Sequence, residues 1–289
     1  MVRVDHWIEP SGLDRVDAHR TAPDWVAGLW RADDAQLLKI TDTGAFTTND
    51  IGDRLRTVTP FVQYDPQRHY LMGLVGTSPV WVVRAVVEGP THTMRECAAK
   101  LDGTQRDIAA AAVALTQWHT LDPHCPACGG DTLVGNGGFI RTCVRCGRET
   151  RPRSDPAVIV AIRDPKDRIL LASQSSWPED RRSVLAGFVE AGESLEQAVH
   201  REMSEEADLE LTDLRYFGSQ PWPVPRSLML AFSARTGSAD FSVDGEELVA
   251  ADWFSRDDLT AALAQDALTL PPPSSIARRM IEAWLADEL

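Results

Sequence analysis

The sequence predicts an α+β protein: a C-terminal mixed sheet with helices on both faces, preceded by a small four-cysteine module and an N-terminal α+β domain. Three observations carry this. The runs AVIVAIRD, RILLASQ and VLAGFVE follow one another between residues 157 and 190 as strand candidates. A helical pattern comes next, opened by Ser194 with Gln197 three residues later, the signature of a capping box. Four of the five cysteines stand as two Cys-x-x-Cys pairs.

The elements then fall into three segments, 1–121, 122–151 and 152–289. The first carries short alternating strand-like runs with turns at Thr43-Gly44, Asp65-Pro66 and Gly89-Pro90. Its longest apolar patch, Val80 to Val87, is interrupted by Arg84 and reads as a strand. It closes on a helix pattern from Asp107 to Trp118. The third segment adds strands near 214–219, 227–235 and 247–254, and helices near 256–265 and 274–287. Alternating elements of this kind build a mixed sheet covered on both faces. No internal repeat is visible, and a shared but diverged fold for the first and third segments stays open.

A length of 289 residues suits two domains, or two and a small insert. Hydrophobic residues at 43% and charged residues at 25% are ordinary for a globular protein. The start, MVRVDHWIEP, has no apolar core of a secretory leader, and no run approaches the ~20 apolar residues of a membrane span. A cytoplasmic protein without a membrane partner is expected. The net charge of −14 excludes general binding along a nucleic-acid backbone, so any RNA would be handled through a local pocket at one end. Core packing accounts for most of the nine tryptophans.

Cys125-x-x-Cys128 and Cys143-x-x-Cys146 are separated by fourteen residues. This is zinc-ribbon spacing, in which two knuckles each give two thiolates to one tetrahedral Zn²⁺. Gly129 and Gly147 follow each knuckle, where a turning backbone favours glycine. Disulfides are the competing reading, disfavoured in a cytoplasmic chain. Four cysteines leave no open coordination position, so the zinc is structural, one per subunit. His124 reads as a surface residue, and Cys97 as a small buried hydrophobe.

Residues 187–209 read GFVEAGESLEQAVHREMSEEADL. Glu202, Glu205 and Glu206 are spaced i, i+3, i+4 and share one helix face. Crowded carboxylates repel unless cations sit among them, and hard divalent ions with oxygen ligands, Mg²⁺ or Mn²⁺, suit them. Such ions hold and polarise phosphate oxygens. A solvated acidic helix would explain the charges, but not the glycine, the arginine or the apolar residues at fixed offsets.

The segment resembles the Nudix box, matching it at Gly187, Glu193, Arg201, Glu202, Met203, Glu205, Glu206 and Leu209. Asp208 stands where the family has glycine, at a helix end that Asp enters more readily than most residues. Downstream, SQPWPVPRSLM runs from Ser219 to Met229 and reads as a stiff, exposed loop in which Trp222 offers a flat surface. A ribbon before the box and this array after it, about 165 residues together, resemble the NADH pyrophosphatase subfamily of Nudix hydrolases.

The resemblance implies a Nudix α/β/α sandwich that cuts the pyrophosphate of NAD(H) to AMP and nicotinamide mononucleotide, and that removes NAD caps from RNA 5′ ends. It implies two to three Mg²⁺ or Mn²⁺ per site on Glu202, Glu206 and Glu247 with the Ala186 carbonyl. Glu205 would be a further ligand or the base, and Arg201 would pair with Glu193. Substrate contacts would come from Phe188, the stretch Gln220, Pro221, Trp222, Pro223, Val224, Pro225, Arg226 and Ser227, and Ala277. Arg95 aligns loosely with a further contact. Val224 replaces the usual phenylalanine, and Arg151 stands before Pro152 where many relatives have an aromatic; a guanidinium plane also stacks on a base. Relatives are homodimers. The alternatives are hydrolysis of another nucleoside diphosphate compound, such as ADP-ribose or a diadenosine polyphosphate, or a nucleotide-sensing regulator that binds without cutting.

Overall fold

The structure is a computed structural model and describes residues 10–243, 245 and 247–289; the first nine, read above as lacking a leader, lie outside that range. The described chain forms two compact units, 155–222 with 227–289, and 10–154 with 223–226. Among the described residues no helix is long and apolar enough to cross a membrane.

In the N-terminal unit, a hairpin of His69–Val75 and Ser78–Arg84 lies beside Gln36–Ile40, which runs parallel to the second hairpin strand. Short strands extend this sheet to seven. The apolar run around Val80 is a strand only as far as Arg84, and Val86 is almost fully exposed. Aromatic packing fills the core: Trp30 stacks on His69 at 4.2 Å and meets Trp81 edge-on at 5.1 Å. The closing helix, Gly103–Leu121, starts four residues before the apolar pattern does. Asp102 caps it by accepting from the Gln105 N–H at 2.9 Å, which offsets the poor helix propensity of Gly103 and Thr104.

His119, near the end of this helix, is buried and stacks on Tyr70 at 4.0 Å. Arg141 approaches its Nδ1 at 2.8 Å, and a guanidinium can only donate, so Nδ1 accepts and Nε2–H donates to the Gly138 carbonyl at 2.8 Å. Burial lowers its pKa to about 4, with Arg141 pushing the same way against the Gly138 bond. The unfolded chain takes up this proton below about 6.5 and the folded one only below about 4, so stability falls as pH drops through that window. We expect His119→Gln to flatten the wild-type urea-stability profile there by about 3 kcal/mol in total. Parallel profiles would show that His119 is protonated in the folded protein.

The ribbon is a three-stranded antiparallel sheet, Thr132–Gly135, Ile140–Cys143 and Glu149–Thr150, and it belongs to the N-terminal unit.

The C-terminal unit is a three-layer sandwich. Its strands are β1 (Asp155–Arg163), β2 (Ile169–Gln174), β3 (Leu185–Phe188), β4 (Leu211–Trp222), β5 (Ser227–Thr236) and β6 (Leu248–Phe254). Its helices are α1 (Leu195–Ala207), α2 (Arg256–Ala264) and α3 (Ile276–Leu285). The sheet order is β4-β5-β1-β2-β6, with β3 paired to β1; only β1 and β5 run parallel. Alternation along β1 divides the core. Val158, Val160 and Ile162 pack with Ala198, Val199 and Met203 of α1, whereas Ile159 and Ala161 pack with Met280, Ile281 and Trp284 of α3. The same grouping recurs in the N-terminal sheet: an antiparallel hairpin whose second strand runs parallel to an earlier strand.

The expected capping box is present: Ser194 Oγ accepts from the Gln197 N–H at 3.2 Å, and Gln197 Oε1 accepts from the Ser194 N–H at 2.8 Å. Asp208 ends α1 in the left-handed conformation, φ 52° and ψ 42°, where the Leu209 N–H reaches back to the Met203 carbonyl at 3.1 Å. An L-residue is disfavoured there, so Asp208→Gly should raise unfolding free energy by about 0.5–1 kcal/mol in urea and leave turnover unchanged. A destabilised variant would mean that the Asp208 side chain contributes more than its backbone conformation costs.

The proline-rich stretch differs from the exposed loop expected. Residues 220–222 continue β4 and pair with 227–229 of β5, leaving a turn of only four residues, 223–226. Pro221 is tolerated because β4 is an edge strand, where a missing N–H breaks no ladder.

Candidate active site and metal centre

The site grows from α1 and the strand beneath it. Leu185 and Gly187 share the face of β3 turned toward α1. A Cβ on Gly187 would fall directly on the Glu202 carboxylate. Glycine is therefore required here by close approach, not by a special backbone angle.

Arg201 is tied down on several sides. It grips Glu193 with two bonds, Nε to Oε1 at 2.7 Å and Nη2 to Oε2 at 2.8 Å. Nη2 also donates to the Phe188 carbonyl at 2.9 Å, while Nη1 lies 2.9 Å from Glu202 Oε1 and 3.1 Å from Glu205 Oε2. The guanidinium therefore links the loop after β3 to α1, as the sequence leads one to expect. This pairing, with the Glu190 N–H, holds the Glu193 carboxyl down at about 2. Burial instead raises Glu202 above the usual carboxylate range; Arg201 opposes that shift, and the charges of Glu205 and Glu247 add to it. Glu206 is buried at 4% exposure, Glu205 is exposed, and Glu247 is exposed immediately before β6. The charges of Glu205 and Glu247 reach Glu202, and carboxylate oxygens of this kind suit hard divalent cations.

Phe188 is 59% exposed beside the acidic helix and offers a free ring face. Gln220 is 1% exposed and spends its amide inside the fold, donating to the Ser274 carbonyl at 2.7 Å and accepting from the Ile276 N–H at 2.6 Å. It thereby fixes the start of α3, which carries the buried Ala277. Trp222 is half-buried and Ser227 begins β5.

Residues 223–226 group with the N-terminal unit. With its amide nitrogen turned toward them, Gln117 donates to the carbonyls of Pro223 at 3.1 Å and Pro225 at 2.6 Å; Arg226 pairs with Asp122 at 3.7 Å. Nothing in the sequence singled out Gln117 or Asp122, because a side-chain bond to a distant backbone carbonyl leaves no local pattern. Arg95 is exposed on the short helix Met94–Cys97, and Arg151 is exposed past the last ribbon strand.

The ligating atoms of Cys125, Cys128, Cys143 and Cys146 lie within 4.8 Å of one another. Sulfur separations of 3.5, 3.6 and 3.7 Å are close to the ~3.8 Å edge of a tetrahedron with bonds of about 2.3 Å, and far from a disulfide. All the cysteines are free. Backbone N–H groups of the knuckles lower the thiol pKa of Cys125, by way of Ala127 first, and of Cys143 to about 6, by way of Cys146 first. Gly129 and Gly147 turn the knuckles at φ 68° and 71°. The centre is fit to hold one thiolate-bound metal.

An acid-lined helix cradled on a glycine strand, inside an α/β/α sandwich, defines the Nudix class, and residues 153–272 match the NUDIX domain family. The likeness extends well past that domain. The chain is 38% identical over 296 residues to the NAD-capped RNA hydrolase NudC of Mycobacterium bovis, covering 96% of this chain and 94% of that protein. It is 37% identical over the same span to the NudC of Mycobacterium tuberculosis, and 38% identical over 220 residues to that of Shigella boydii, covering 76% of this chain and 82% of the relative. The chain belongs to the NudC family of Nudix hydrolases.

Proposed function

We propose that this protein hydrolyses the pyrophosphate bond of NAD(H) to AMP and nicotinamide mononucleotide, and removes the NAD cap from RNA 5′ ends. The observation that carries the reading is the acidic face of α1 seated on Gly187. Near full-length likeness to proteins described as NAD-capped RNA hydrolases supports the substrate.

In this proposal Glu202, Glu205, Glu206 and Glu247, with the Ala186 carbonyl, hold two to three Mg²⁺ or Mn²⁺. Bound there, the ions neutralise the diphosphate and lower the pKa of water. The chain's own part is to place the acids and the dinucleotide. Arg201 and Glu193 fix α1 against the loop, and Phe188 stacks on one ring of the substrate. Pro221 to Ser227, Ala277, Arg95 and Arg151 supply the remaining contacts, with Gln220 setting the base of the turn from inside the fold. A glutamate of the cluster accepts the proton of the attacking water, and in-line attack at one phosphorus releases the other nucleotide. The four cysteines hold one structural zinc per subunit, and the protein works as a cytoplasmic homodimer.

The test is incubation of the purified protein with Mn²⁺ and NADH, followed by separation of products. AMP and reduced nicotinamide mononucleotide are expected. Intact NADH beside cleaved ADP-ribose or diadenosine polyphosphate would overturn the substrate, and NADH bound but uncut would turn the reading to a sensor.

A further inference from the structure

The turn 223–226 closes the hairpin of β4 and β5, yet its own residues do little to hold its shape. Pro223 and Pro225 have no N–H to donate, so they bring acceptors alone. Packing does not fix the turn completely either. Val224 and Pro225 form one wall of a cavity of about 370 Å³. Its other walls include the turn 41–44 and Thr116, Gln117 and Thr120 of the helix Gly103–Leu121. Side chains beside an open space of that size lack contacts on one side. All these residues belong to the N-terminal unit.

Gln117 supplies what the turn lacks. Its amide has two N–H donors, and they go to the Pro223 carbonyl at 3.1 Å and the Pro225 carbonyl at 2.6 Å. The amide is itself confined. Gln117 is half-buried, and Trp118 and His119, the next two residues of the helix, are buried. Beside it stands Gly44, at φ 81°, in the turn closed by the Gly44 N–H on the Thr41 carbonyl at 3.1 Å. A Cβ on Gly44 would lie 3.1 Å from the end of the Gln117 amide, so a side chain there would press the amide out of place. A further tie to the turn, Arg226 with Asp122 at 3.7 Å, joins two partly exposed side chains and is weak by comparison.

We infer that Gln117 is a positioning residue: it holds the substrate turn in the conformation that presents 223–226 to the dinucleotide. This rests on the substrate contacts proposed above and deepens them. Gln117 acts through the turn, not on the reacting phosphates. Loosening the turn weakens the ground state and the transition state alike, which raises KM and leaves kcat in place.

The test compares two variants of Gln117 with a control in the full-length protein. Gln117→Met keeps the length of the side chain and removes both donors. Gln117→Asn keeps the donors on an arm too short to reach both carbonyls. The control is Thr120→Val, on the same helix and the same cavity. Thr120 accepts from Arg84 at 2.6 Å and donates to the Thr116 carbonyl at 2.9 Å, so the control also loses two bonds, neither of them to the turn. With NADH and Mn²⁺, KM should rise about tenfold in Gln117→Met, the effect of two modest hydrogen bonds, and about threefold in Gln117→Asn. In both, kcat should stay within about twofold of wild type, and Thr120→Val should keep both constants within that range. Wild-type KM in Gln117→Met, or an equal rise in Thr120→Val, would overturn the inference. If Gln117→Met does not fold, Gln117→Asn decides in the same way. Wild type that binds NADH without cutting it would sink the cleavage reading, and the same ratios taken on dissociation constants would still decide the role of Gln117. Wild type that neither binds nor cuts NADH would overturn both.

Discussion

Glu206→Gln should lower turnover on NADH by about 10³-fold or more while the protein stays folded, a barrier increase of about 4 kcal/mol. Glu206 is nearly fully buried and stands one turn after Glu202 on the face that α1 turns toward Gly187. The substitution keeps the shape of the side chain and removes one charge from a crowded set. Stability should therefore hold or rise slightly, since a buried carboxylate beside like charges is costly when ionised. Loss of a charged oxygen from the ion-binding set should also raise the Mn²⁺ concentration needed for half-maximal rate. Circular dichroism and urea unfolding check the fold, and initial rates across a Mn²⁺ series check the chemistry. Near-normal turnover with an unchanged metal requirement would remove Glu206 from the site.

Much of this arrangement was legible in the sequence because its constraints are local. The three carboxylates follow from helical spacing, the start of α1 from Ser194 and Gln197, and the cysteine cluster from knuckle spacing. The left-handed turn at Asp208 could be anticipated from the position where the box otherwise carries glycine. Less legible was whatever depends on chain segments far apart. The prolines of 220–227 suggested a loop, yet pairing with β5 and a place at the sheet edge make 220–222 a strand. Gln220 reads as a polar loop residue, but burial turns its amide inward onto Ser274 and Ile276, more than fifty residues away. The helix 103–121 begins early because a single aspartate cap outweighs two weak helix formers. Gly187 is the instructive case: the pattern demands it, but only the structure says why.

That reason makes Gly187→Ala the sharpest probe of the site. Glycine in a strand is ordinarily a weak point, and replacing it with alanine tends to stabilise by limiting the unfolded chain. Here the added methyl meets the end of the Glu202 side chain, not backbone. A flexible carboxylate can swing away at small cost, so unfolding free energy should change by less than about 1 kcal/mol. The swing, however, takes Glu202 out of the position that Arg201 and burial give it. Even losing a partner that only orients a metal ligand costs about 10–100-fold in metal affinity or activity, and moving the ligand itself costs at least as much. Gly187→Ala should therefore be a well-folded protein with kcat reduced about 100-fold, and partial recovery at high Mn²⁺. Pairing it with Glu202→Gln in a double-mutant cycle isolates the mechanism: if the methyl acts by moving that carboxylate, the two losses overlap instead of multiplying. Additive losses would place the effect of Gly187 elsewhere in the strand, and full activity in the single variant would mean that Glu202 has room to function beside a methyl group.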